Sequence, residues 1–156
     1  MSLLAILRPT EWDFPLFLHV LGAMVLVGGL VVAVATQFLA WMRRDAADAA
    51  AFSRAGFWAL LTVALPGWIV MRLGAEWIYS KEGWTGDNDP DWLGIGFTTA
   101  DGGLIVLLVA TILAGLGVRR LGPGSGTLLG KIALPLATIL LIAYLVTVWA
   151  MTAKPS

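Results

Sequence analysis

Four long apolar stretches constrain this chain more tightly than any other feature. They run from about Phe14 to Met42, Phe57 to Ile78, Gly102 to Val118 and Ile132 to Met151. A bilayer core of roughly 30 Å is crossed by about 20 apolar residues in a helix that rises about 1.5 Å per residue. Lipid offers no partner for backbone N–H and C=O groups, so each stretch is expected to be helical, and continuous apolar character excludes the alternation of a β-barrel. The predicted fold is all-α: one transmembrane four-helix bundle over residues 1–156, partnered by the lipid bilayer. Composition agrees, since 59% of the residues are hydrophobic and only 13% charged, too few charges for a water-facing surface. Ten basic residues balance ten acidic ones, which removes the electrostatic case for nucleic acid as a partner. With no cysteine, disulfides, thiolate metal sites and thiol nucleophiles are excluded.

Orientation follows from the short connections, because Lys and Arg resist translocation. Arg43, Arg44 and Arg54 follow the first stretch, and Arg119, Arg120 and Lys131 follow the third. The connection over residues 79–101 instead sets Lys81 against Glu82, Asp87, Asp89 and Asp91. Both termini and the 79–101 loop are therefore expected outside, with the Arg-rich turns in the cytoplasm. Trp12, Trp77, Trp84, Trp92 and Trp149 then fall near the outer face and Trp41 and Trp58 near the inner one, as an aromatic belt. The first stretch has no basic leader or cleavage site before it and reads as a retained span. Thr10 and Asp13 resemble a capping box that starts the helix near Glu11.

An ionisable side chain within a span costs about 2.5–3.5 kcal/mol on insertion scales, so His19, Arg72, Glu76 and Asp101 each need a reason. His19 and Arg72 both lie about six residues, roughly 9 Å, inside the outer boundary. Glu76 is one turn above Arg72, Asp101 opens the third stretch at the same side, and Tyr144 with Thr147 nears that depth from the fourth. A single polar pocket in the outer leaflet shelters them together. Each also has a plainer role. Arg72 and Glu76, four apart, form a helical ion pair; Asp101, after Thr98 and Thr99, caps the third helix; Tyr144 and Thr147 hydrogen-bond between helices. His19, the sole histidine, either bonds Glu76 or Tyr144 in the core or ligates haem or a metal ion. Its helix face continues through Gly22, Ala23, Leu26, Gly29, Leu30 and Ala33, small enough for a second backbone or a porphyrin to come close.

The run Leu18-His19-Val20-Leu21-Gly22-Ala23 followed by Gly28-Gly29-Leu30 resembles the first-helix pattern of small bacterial four-helix membrane proteins related to the copper-resistance protein D family. An intramembrane first-helix histidine is similarly found in HemJ-type protoporphyrinogen oxidases, which bind haem. The resemblance covers one helix of four and transfers only His19, as a ligand. Val27 stands where those families often place an aromatic residue, and the second helix offers Arg72 where the HemJ type has lysine. It implies haem b as cofactor and a bacterial cytoplasmic membrane as location. In that reading His19 ligates iron, Arg72 neutralises a propionate and Glu76 orients a ligand group. The other axial position falls to Met71 or Met24, to water, or to His19 of a second copy in a homo-oligomer. For a bare metal ion the candidate set is His19, Glu76 and Asp101. Two other classes fit the same polar set: an oligomeric small-ion or solute transporter, and an accessory subunit in which the cluster is packing glue.

Two apparent motifs do not hold. The stretch from Gly122 to Lys131 imitates a phosphate-binding loop but places Ser125 where its first glycine belongs. Asp87-Asn88-Asp89-Pro90-Asp91 begins like a calcium loop, but Trp92 replaces the required glycine. Pro66 in the second stretch and Pro135 in the fourth are expected to permit kinks.

Overall fold

The computed structural model describes residues 13–82, 91–121 and 128–153, and every regular element among them is helical. The elements are α1 (Asp13–Met42), α2 (Ala46–Ala59), a π turn (Leu60–Ala64), α3 (Leu65–Glu82), α4 (Asp91–Arg119) and α5 (Leu128–Ala153). Because α2, the π turn and α3 join end to end, four helices are long and apolar enough to cross a membrane: Asp13–Met42, Ala46–Lys81, Leu93–Arg119 and Leu129–Ala153. The chain is an all-α four-helix bundle of an integral membrane protein. Its side-chain distribution is inverted relative to a water-soluble bundle. Phe17, Leu73, Ile105 and Leu145 are more than half exposed while the interior is rich in Ala and Gly, which only a lipid surround tolerates. Thr10, Glu11, Trp12, Trp84, the residues 83–90 and the glycine-rich 122–127 lie outside the described residues.

Two helices extend well past the apolar stretches that announce them. The second span starts at Ala46, not near Phe57, leaving only residues 43–45 as a turn after α1. Asp45 makes that turn: its Oδ1 accepts from the N–H groups of Ala47 at 2.9 Å and Asp48 at 3.0 Å, satisfying two of the donors orphaned at a helix start. Helix α4 starts at Asp91, eleven residues before the expected Gly102, and α3 runs on to Glu82, so much of the connection expected over 79–101 is helical. Packing drives this extension. Leu93 and Ala100 are buried, and the Trp68 indole N–H donates to Ala100 O at 2.9 Å.

α1 and the second span form the tightest pair. A Cβ on Gly22 would stand 2.2 Å from Met71 N, on Gly29 2.7 Å from Ala64 N, on Gly67 2.6 Å from Leu26 N and on Gly74 2.5 Å from His19 N. The glycines recur every seven residues on each helix, 22 and 29 facing 67 and 74, and in each contact the partner's backbone fills the space. A seven-residue repeat keeps one seam on the partner in a left-handed antiparallel pair, and small residues let the backbones touch where no hydrophobic effect operates.

The π turn lies just before Pro66, whose missing N–H and ring clash disrupt the normal ladder. Leu65 N–H there donates to Leu60 O, one residue further back than in an α-turn. Pro135 by contrast sits inside a continuous α5. Beyond the π turn, the α3 backbone stays with α1 and stands off from α4, which it reaches through the Trp68, Arg72 and Tyr79 side chains, whereas α2 packs against α4. The bundle thus opens between α3 and α4 at the end that carries the acidic loop, called the acidic end below. The opposite, basic end carries Arg43, Arg44, Arg119, Arg120 and Lys131.

Candidate functional site

At the acidic end a groove of about 830 Å³ is lined by α1, α3, α4 and α5. Its wall is largely apolar, with His19, Arg72, Tyr144 and Thr147 as its main polar members. His19 reaches it because Gly74 brings α3 against the His19 backbone. The His19 Nδ1–H donates to Met71 O at 3.0 Å. A carbonyl only accepts, so Nδ1 carries a proton, and in the neutral ring the lone pair is on Nε2. The expected core partners Glu76 and Tyr144 give way to this carbonyl, which the Gly22 contact with the Met71 backbone places within reach of the ring.

Arg72, about one-fifth exposed, sits between two carboxylates. Its Nη1 meets Glu76 Oε1 in an ion pair and its Nε lies 3.2 Å from Asp101 Oδ1. Nη1 is buried, and Glu76 supplies the opposite charge beside it. The guanidinium also lies 4.8 Å from the centre of the Phe97 ring, a cation–π contact that holds its plane. The i, i+4 pair is therefore present, and Asp101 joins it from the neighbouring helix. Asp101 is not the helix cap its sequence position suggested: α4 begins at Asp91, which leaves Asp101 in mid-helix with its side chain on Arg72.

The sequence-predicted residues thus divide into two groups. His19, Met71, Arg72 and Tyr144 share the groove, while Glu76 and Asp101 gather on Arg72. His19, Glu76 and Asp101 do not form a metal-binding trio, and no group of three or more such side chains does so among the described residues. Thr147 is not an interhelical bonder: its hydroxyl donates to Ala143 O at 3.0 Å within α5, the usual recourse of a helical threonine. Tyr144 is 3% exposed, and its hydroxyl packs where a Cβ on Gly103 would stand 2.6 Å away. That hydroxyl has no hydrogen-bond partner among the described residues; the Trp68 indole N–H also faces it but is committed to Ala100 O. Sequence reasoning missed Phe97 and Trp68, whose roles depend on the early start of α4. Trp68 follows the Pro66-Gly67 pair that marks the bend, the one local signal that could have drawn attention to it.

No family model, curated protein or solved structure matches this chain.

Proposed function

We propose that the groove at the acidic end binds haem b, with the Nε2 of His19 as axial ligand. The observation that carries this reading is the His19 Nδ1–H bond to Met71 O. A histidine that ligates iron commonly donates its other ring N–H to a carbonyl or carboxylate, which fixes the tautomer and the ring plane. Here that bond is in place and the imidazole borders a roomy apolar groove, within the range of about 300–1,000 Å³ usual for small-molecule and cofactor sites. The buried Tyr144 hydroxyl, a donor with no acceptor among the described residues, is a second feature that an entering ligand would satisfy.

This reading redistributes roles. Met71 orients the imidazole through its carbonyl, and a second ligand would come from the Met71 or Met24 thioether, both on the groove wall, from water, or from His19 of a second copy. Glu76 and Asp101 hold the Arg72 guanidinium at the edge of the groove and do not act as ligands. With the Arg-rich turns on the cytoplasmic side of a bacterial inner membrane, the groove opens into the outer leaflet.

Haem titration of the detergent-purified protein tests the proposal. A Soret band is expected to develop to one haem per binding site in the wild type and to vanish in His19→Ala. Absence of a band in wild type, or an unchanged band in His19→Ala, overturns it.

A further inference from the structure

Gln37 lies on the inward face of α1 near the basic end, only 7% exposed. Both its amide nitrogen and its carbonyl oxygen are buried without a hydrogen-bond partner among the described residues. A carboxamide offers two donors and an acceptor, and buried polar groups are otherwise almost always satisfied. The side chain has been given its room, since a Cβ on Gly56 would stand 2.7 Å from Gln37 Cγ.

Gln37 lines a second cavity, of about 560 Å³, at the basic end and separate from the haem groove. Arg43, Arg44 and Lys131 line it as well, against one acid, Asp45. The Asp45 carboxylate is occupied in capping α2. None of the three cations pairs with a carboxylate among the described residues. The Arg43 guanidinium lies 5.3 Å from the Phe52 ring centre, a cation–π contact that uses none of its N–H groups as a hydrogen-bond donor to a carboxylate. Trp41, 64% exposed, also borders the cavity and sits at a helix end, where an aromatic residue marks headgroup depth.

We propose that this cavity binds a phosphate ester bearing a free hydroxyl, of the phosphoglycerol type. The phosphate oxygens accept from Arg43, Arg44, Lys131 and the Gln37 Nε2–H groups, and the ligand hydroxyl donates to Gln37 Oε1. An anion with no hydroxyl, such as sulfate, satisfies the cations but leaves Oε1 without a donor; a phosphocholine headgroup fails for the same reason. The chemistry is shared by a phosphatidylglycerol headgroup and by free glycerol phosphate.

The test compares thermal stability of delipidated, detergent-purified protein with phosphatidylglycerol, with phosphatidylcholine and with glycerol 3-phosphate, since a ligand that binds the folded state raises the melting temperature. Stabilisation by phosphatidylglycerol and not by phosphatidylcholine supports a lipid source, and stabilisation by glycerol 3-phosphate at comparable occupancy supports a soluble one. Gln37→Met keeps the volume and removes the amide, and it is expected to fold while binding the effective probe at least about fivefold more weakly, a loss in line with one or two hydrogen bonds. Arg44→Gln is expected to weaken binding and flatten its salt dependence. Equal stabilisation by phosphatidylcholine, no response to any probe, or unaltered binding by a folded Gln37→Met protein overturns the proposal.

Discussion

Substituting Gly22 by alanine is expected to force α1 and α3 apart. The new Cβ would stand 2.2 Å from Met71 N, 2.6 Å from Met71 Cα and 2.8 Å from Val70 C, where ordinary contact starts at 3.4 Å. Backbone atoms inside a helix cannot swing aside, so the two axes must separate by roughly 1 Å. Overpacking of this kind costs about 1–3 kcal/mol. The clash falls on Met71 itself, so the same shift stretches the 3.0 Å bond from His19 Nδ1 and forfeits about 1 kcal/mol more. Alanine returns up to about 1 kcal/mol through its helix propensity, leaving a net loss of about 2 kcal/mol. Gly28 provides the control, because a Cβ there meets nothing within 4 Å and Gly28→Ala keeps the propensity gain. Thermal unfolding in micelles, followed by circular dichroism, separates the two. At about 2–4 °C per kcal/mol for a chain of this size, Gly22→Ala melts about 4–8 °C lower than wild type and Gly28→Ala about 2–4 °C higher. Equal gains at both positions would refute backbone contact between the two helices and, with it, the geometry that holds His19.

Other outcomes follow from the same coordinates. Asp45→Ala removes an N-cap and should cost about 1 kcal/mol, read as faster amide exchange at Ala47 and Asp48, the two N–H groups it serves. A double-mutant cycle of Arg72→Gln with Asp101→Asn should return a coupling of about 1 kcal/mol across α3 and α4; zero coupling would mean that the 3.2 Å approach of Arg72 Nε to Asp101 contributes nothing to stability.

The spans were legible because apolar length is set by the membrane and shows in the sequence without any tertiary information. What escaped was helix formed for other reasons. The run from Ala46 to Gly56 contains Asp48 and Arg54 and so breaks the apolar signal, yet its five alanines between residues 46 and 51 are strong helix formers and Asp45 supplies the cap. Gly94, Gly96, Thr98 and Thr99 make the opposite case. Their propensities argue for a loop, and packing of Leu93 and Ala100 against the bundle overrides them. That error alone turned Asp101 from a partner of Arg72 into a supposed cap. At the site, the common depth of His19 and Arg72 was readable from counting residues. The Met71 carbonyl was not, since a backbone acceptor leaves no mark in the identity of a side chain. Gln37 passed unremarked because one neutral amide in a long apolar run carries no charge to flag it, and its isolation emerges only once the surrounding helices are placed.

The π turn at Leu60–Ala64 has a consequence for how this span tolerates change. It holds one residue more than the α-turn it replaces, and each residue of an α-helix advances by about 100°. With that surplus in place, Gly56 on one side and Gly67 and Gly74 on the other all look toward α1. Loss of a single residue there would let an α-turn take its place with the two halves near their present phase, whereas loss of one residue elsewhere in α2 or α3 would swing one half of the span about 100° out of step with the other. This short stretch is therefore where the span can absorb a change of length, and the glycine seams on either side of it are where it cannot.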